Sequence, residues 1–551
     1  MKAALRLRPG ASGTMSLLCL ACCIRDVLAR VHFELANNTS FRGQFRGQLV
    51  VADDPLKAFT ERPWHILDDS RVWVGIGRMP DPLQSIFGAS LPMDNPTKSF
   101  WLNTEAANPL AEVGSTGELT QDADVCIIGS GITGVSAAWH LSNGSEKPSV
   151  VILEAREFCS GATGRNGGHL VRNVFNSFIS RQASHNTSEA IKTYLLEKYT
   201  ADSLVAFIND RNLQDEVDLV EGGHITLLRT EQEETDARND YEAAKAAGLI
   251  SDGKMGVRWL GNVELQKKYG LSPALNYTGV WYSAHNLWPS KLVTALFHNT
   301  SNVVLHTKTP VTSVLPVRGL SRDSVDQIPL SHPEKQRRWV LGTPRGDIKC
   351  SYVVHATNAY SGYLLPFMAD RHRSKMCPDI PSDSKTVELL PDAELKTTTT
   401  QTGADRSPPL TLRHDILPSP KVHTIVPTRG QVGAVRALAN TSALGWLNAW
   451  DGGGGGWEYW FPRYQGTNVS VNPLIILGGG REHAGGRLEA GVADDAALNP
   501  RVSASLHEFL PSVFPGQFAA DEGWEMEWTG IMGFTASGEP FVGSRCFSSI
   551  S

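Results

Sequence analysis

This chain predicts an α/β fold, in which a parallel nucleotide-binding sheet is interleaved with a second half built on a mixed sheet. Three observations lead there. Residues 125–128 form an apolar run of strand length that stops at Gly129. Gly129, Gly131 and Gly134 then follow at the G-x-G-x-x-G spacing, with Ser130, Ile132 and Thr133 between them. The first glycine allows a tight turn, the second lets backbone approach a pyrophosphate, and the third lets helix pack on strand. A helix beginning near Ile132 would aim its N-terminal amides at the phosphates. The third observation is a second strand over 149–153. It ends on Glu154, about 20 residues past the last glycine, where a carboxylate can accept from ribose hydroxyls, with Ala155 and Arg156 beside it.

The continuation separates flavin from nicotinamide. Ser160, Gly161, Ala162, Thr163, Gly164, Arg165, Asn166, Gly167, Gly168 and His169 form a second glycine-rich loop directly after the acidic strand. A nicotinamide-binding unit has no need of one, whereas such a loop can lay amides and small side chains along a long flat cofactor. A second dinucleotide fingerprint, which an NAD(P)H-dependent reductase or monooxygenase would carry, is not found; Gly478, Gly479 and Gly480 lack the spacing.

With these two turns the chain resembles the FAD-dependent oxidoreductases of the D-amino-acid oxidase, glycine oxidase and sarcosine oxidase superfamily. The Thr163 to Gly168 segment is most similar to gamma-glutamylputrescine oxidoreductases and their fungal relatives. The resemblance begins near residues 95–101 and continues in order. Residues 303–317 resemble the strand pair whose backbone, at Val311 and Val314, flanks adenine. Residues 352–360 resemble the strand followed by Ala356, Thr357 and Asn358, a turn beneath the phosphates. Residues 425–431 resemble a Pro-x-Arg-Gly-Gln strand, and 458–463 with 475–481 a hairpin on the substrate side. Residues 528–535, with Gly538 and Pro540, resemble the late loop that approaches the flavin ring.

What the resemblance implies is a Rossmann-like FAD-binding domain of the GR2/DAO type, interleaved with a mixed-sheet α+β substrate domain. The FAD-binding pieces are expected at 121–215, 300–370 and 520–551, and the substrate domain at 216–299 and 421–519. Residues 91–120 are a lead-in. The segment before about residue 90 lies outside the family and is expected to be irregular. Residues 371–420, rich in Ser, Thr, Pro and Asp, read as a disordered surface insertion. Residues 188–213 carry apolar side chains at helical spacing with Ser188 as cap, and 231–248 form another helix stopped by Gly248.

The implied reaction is hydride transfer from the carbon of a C–N bond to flavin N5, on an amine or amino-acid-like substrate. Oxygen or another acceptor would reoxidise a noncovalently held FAD. His169, ending the second loop, is the first candidate beside the ring, or else a histidine that supports that loop. Arg165 serves a phosphate or a flavin carbonyl, or else a structural ion pair. Met532 stands where glycine and D-amino-acid oxidases place the arginine that holds the substrate carboxylate. Methionine cannot pair with a carboxylate, so an amine is favoured unless Arg463 or Arg481 supplies the charge. In the resembled family the segment matching 538–543 leads into a further strand and a helix whose dipole faces the flavin. Ser544, Arg545, Cys546 and Phe547 do not match that element. The expectation here is an incomplete gene or a degenerate, non-catalytic FAD-binding protein with an uncovered sheet edge.

Composition bounds the alternatives. With 551 residues and 41% hydrophobic content the chain can bury more than one core. A net charge of -6 without a basic stripe excludes nucleic acid as a natural partner. The eight cysteines are scattered without paired metal spacing, so neither a metal nor a disulfide framework is expected. The apolar run at 15–24 is short of the roughly 18 residues a membrane span needs. A cytoplasmic location is expected, with a mitochondrial one as the alternative from the basic N-terminal residues.

Overall fold

The computed structural model describes residues 90–104, 106–250, 256–317, 337–368, 424–438, 444, 446–452, 458–463, 472–485, 487–535 and 538–543. The expected irregular extension up to residue 89, the insertion at 371–420 and residues 544–551 lie outside them. The strands are β1 (Asp122–Ile128), β2 (Val150–Leu153), β3 (His169–Leu170), β4 (His224–Leu228), β5 (Arg258–Leu260), β6 (Thr278–Tyr282), β7 (His285–Asn286) and β8 (Val303–His306). After them come β9 (Ser313–Pro316), β10 (Trp339–Thr343), β11 (Gly346–His355), β12 (Ile425–Arg436), β13 (Ala449–Asp451), β14 (Tyr459–Pro462), β15 (Leu474–Gly478) and β16 (Trp524–Thr535). The principal helices are α1 (Ile132–Ser142), α2 (Phe178–His185), α3 (Thr187–Asp210), α4 (Glu231–Ala246), α5 (Pro289–His298) and α6 (Pro500–Val513).

The first sheet has the order β8-β2-β1-β11-β10-β9, and its first four strands run parallel. Strand β1 reads as a continuous apolar run because both of its faces are covered. Val125 and Ile127 point into one core with Val135, Leu141, Leu292 and Leu296 from α1 and α5. Cys126 and Ile128 point into the other, with Leu341 and Ile348. Helix α5 therefore packs in the nucleotide-binding half. Cys126 and Cys350 pair as a disulfide between β1 and β11, 224 residues apart, where the sequence suggested no bridge.

The second sheet has the order β16-β12-β15-β14-β13-β4-β6-β5. One face packs on α6, where Val502, Leu506 and Leu510 meet Trp450, Trp460 and Leu477. The other face, carrying Phe461, Ile476 and Trp528, packs toward Trp101 and the nucleotide-binding half. Strand β16 pairs along almost its full length with β12 in this sheet. Helix α3 is capped two residues earlier than expected, by Asn186 accepting from the Glu189 amide at 3.1 Å. Among the described residues no helix is long and apolar enough to cross a membrane.

Candidate cofactor and substrate site

The two glycine turns lie against each other. The amide of Ile132, at the open end of α1, donates to Thr163 Oγ1 of the second loop at 3.1 Å. Gly131 caps that helix through its backbone only, and a Cβ there would lie 3.0 Å from the same Thr163 oxygen. Gly129, at φ +107°, passes so close to the Ala356 carbonyl that a Cβ would sit 2.5 Å from it. The Ala356 amide in turn donates to the Ile128 carbonyl at 2.9 Å. Three segments far apart in sequence thus converge at the C-terminal ends of β1 and β11, the edge where ligands bind in open α/β sheets.

Glu154 fastens this corner. One carboxylate oxygen accepts from the Ser130 amide at 2.9 Å and hydroxyl at 2.7 Å, and the other from the Arg156 amide at 3.0 Å. A carboxylate has about four acceptor positions, so capacity for a ribose hydroxyl remains. The Ser130 hydroxyl also accepts from the Cys159 amide at 2.9 Å, which joins the first turn to the second loop. Ser130→Ala is expected to destabilise the protein by about 1–3 kcal/mol, because the Cys159 donor is left unsatisfied in a buried place. Urea unfolding of the purified variant measures it.

Arg156 and Arg165, both assigned to the cofactor from sequence, have their side chains drawn into a buried network with Asp495. Arg156 Nη1 and Nη2 each reach a different Asp495 oxygen at 3.0 Å. Arg165 Nε stands 3.7 Å from Asp495 and donates to the Ser160 carbonyl at 2.8 Å, while its Nη1 donates to the carbonyls of Thr97 at 2.7 Å and Thr529 at 3.0 Å. Burial and the neighbouring Arg156 cation lower the Arg165 pKa to about 10, so it remains charged at neutral pH. The lead-in closes over the loop from outside. Ser99 Oγ donates to the Gly164 carbonyl and Trp101 Nε1 to the Asn166 carbonyl, each at 2.6 Å.

His169 is enclosed by the rings of Phe461 (5.1 Å between centroids), Tyr459 (5.4 Å) and His224 (6.2 Å). Burial and the neighbouring His224 lower its pKa to about 4, so it is neutral under ordinary conditions. Its Nδ1 lies 3.1 Å from the Gly167 carbonyl, and the ring also meets the backbone of Trp450. Tyr459 also lies over Gly167, where a Cβ would come within 2.2 Å of its ring. Met532, opposite Thr428 on β12, lays its methyl group over Gly430. Of the two arginines weighed as its replacement, Arg463 is bound to Asp218 at 2.7 Å and stacked on Trp288 at 4.6 Å. Arg481 is buried near Tyr459 with its guanidinium 5.2 Å from the Phe534 ring.

The late segments divide. Asn358 Nδ2 donates to the Ile531 carbonyl at 3.0 Å, which brings β16 against the Ala356–Thr357–Asn358 turn. Gly538 and Pro540 lie beyond β16, where neighbouring Glu539 pairs with Arg181 of α2 at 2.7 Å. Val311 is buried in the core beneath β1, and Val314 packs against that core from β9. Glu458, Glu482 and His483 form the one cluster of metal-ligating types among the described residues, and Glu458 there is held by Arg229 at 2.7 Å. Sequence reading missed Asp495, His224 and Asp451, which lie far along the chain from their partners with no local motif to mark them, and it gave Thr97 of the lead-in no role.

The residues of the two turns fit an extended dinucleotide. The turns form one continuous corner, and one buried polar atom along the second loop, Ser160 Oγ, is left without a partner in the protein. Residues 124–397 match the family model described as FAD dependent oxidoreductase (DAO). A stretch of 48 residues is 52% identical to gamma-glutamylputrescine oxidoreductase of Escherichia coli K12, and it spans 9% of this chain and 11% of that protein. Among solved structures, glycine oxidase from Geobacillus kaustophilus is 18% identical with a TM-score of 0.46, covering 76% of this chain and 85% of that one. L-amino acid deaminase from Proteus vulgaris is 14% identical with a TM-score of 0.47, covering 78% and 83%.

Proposed function

We propose that this protein oxidises a C–N bond of an amine or amino-acid-like substrate, with noncovalently bound FAD as the hydride acceptor and oxygen or another acceptor restoring it. The observation that carries the reading is the junction of the two glycine turns through Ile132 and Thr163, fastened by Glu154. The open end of α1 offers backbone amides to the phosphates, Glu154 accepts from the ribose, and the loop ending in His169 runs along the flavin. Tyr459 and Phe461 wall that end and exclude water, which disfavours the charged form of a bound amine. A neutral amine is the form whose electron pair can drive hydride departure to the FAD.

The substrate is drawn toward amines by Met532, which offers no charge to a carboxylate. Arg481, with its guanidinium 5.2 Å from the Phe534 ring, keeps amino-acid-like substrates in view. An anaerobic absorbance screen of amines and amino acids on the purified protein tests the reading. The expected result is a yellow protein bleached by at least one amine. A yellow protein that none of them bleaches is the result for a degenerate FAD-binding protein. Bleaching by NADPH alone, or a purified protein with no flavin, overturns the proposal.

A further inference from the structure

The sheet face that meets the second loop holds more ionisable chemistry than a scaffold requires. His224 on β4, Asp451 on β13 and Tyr282 on β6 are 0%, 2% and 3% exposed. The register brings them together, with His224 opposite both Tyr282 and Ala449, and Asp451 opposite Thr226. His224 Nε2 lies 3.2 Å from Asp451 Oδ2. Its ring is 5.1 Å from Tyr282 and 6.2 Å from His169. Both ring nitrogens of His224 are buried without a hydrogen bond. Elsewhere the same face is apolar, with Phe461, Ile476, Ala434 and Trp528. Placing a carboxylate and two imidazoles there costs several kcal/mol relative to apolar residues of similar size. Polar groups retained at such a cost beside a cofactor cradle point to chemistry.

We propose that His224, backed by Asp451, takes the proton from the substrate's ammonium group before oxidation, with Asp451 as the positioning residue. The inference rests on the amine-oxidising reading. One N–H bond of the ammonium breaks, and its proton passes to an imidazole nitrogen of His224. The electron pair stays on the amine nitrogen, where it drives departure of the hydride to FAD. The resulting imidazolium faces a carboxylate at 3.2 Å, so the charge created inside the protein is compensated on the spot. Among the described residues His169 has no carboxylate beside its ring within bonding distance, whereas His224 has Asp451 at 3.2 Å. The groups facing His224 are His169 from β3, Tyr282 from β6 and Asp451 from β13. Tyr459 approaches through His169, and Arg172 and Glu197 act on Tyr282.

The test is the pH dependence of anaerobic bleaching by the best amine, in the FAD-loaded wild type, His224→Gln and Asp451→Asn. At pH 7 the His224→Gln rate is expected to fall about a hundredfold, and Asp451→Asn about tenfold. Both deficits should close toward pH ~10, where a free amine sheds its own proton. A deficit equal at every pH means that the pair is structural and overturns the inference. Histidine 15N NMR of the FAD-loaded wild type, with n-butylammonium as probe, reads the same step without turnover and without the variants. His224 is expected to gain a proton when the probe binds, and a His224 that stays neutral overturns the inference. Should no amine bleach the wild type, the oxidase reading fails on that screen, while the NMR result still decides the role of His224.

Discussion

Asp495→Ala is expected to destabilise the protein by about 3–5 kcal/mol, the cost of leaving buried cations without their counter-charge. Asp495 is 1% exposed and binds Arg156 through two contacts at 3.0 Å, with Arg165 at 3.7 Å. Removing it leaves two guanidinium groups facing each other in a place with little water. The Arg156–Arg165 repulsion, now held in check by Asp495, would push the second loop away from the lead-in and β16. The expected phenotype is a lowered urea midpoint together with weakened FAD retention. Adding Arg156→Met to Asp495→Ala should recover part of the stability, because the second change removes one of the stranded charges. A single variant as stable as the wild type would show that the network contributes little.

Gly134→Ala is expected to abolish FAD binding. A Cβ on Gly134 would stand 1.9 Å from the Gly129 carbonyl oxygen and 3.1 Å from Ile127. The first obstacle is backbone in the turn itself, so no side-chain rotation relieves it. Either α1 lifts from β1 or the turn opens, and both move the helix amides away from the phosphates. Overpacking alone costs typically about 1–3 kcal/mol, and the loss of the cradle comes in addition. Flavin absorbance of the purified variant, beside its far-UV circular dichroism, separates a folded protein without cofactor from an unfolded one. A folded Gly134→Ala protein that is as yellow as the wild type would refute the packing argument.

The parts of the molecule legible in the sequence are those whose cause is local. The turn at Gly129, Gly131 and Gly134 declares itself because strand, turn and helix are contiguous, and α1 begins at Ile132 as expected. The hairpin of β14 and β15, which the resemblance implied, pairs antiparallel. The rest was hidden because the deciding partner is remote. Arg156 finds Asp495 across 339 positions, and no pattern near either residue reveals it. Strand β16 has the same alternation whichever sheet it joins, and only its pairing with β12 decides. The cap of α3 was displaced for a different reason. Asn186, Thr187 and Ser188 are three consecutive residues suited to capping, and the structure uses the first.

Trp101 and Ser99 hold the loop of residues 160–169 from a position before β1, the first strand of the nucleotide-binding sheet. A recombinant fragment starting at residue 121 would therefore contain both glycine turns yet lack the clamp that shapes one of them. Its flavin affinity would underreport that of the full chain, and domain-dissection experiments on this protein should begin upstream of residue 95.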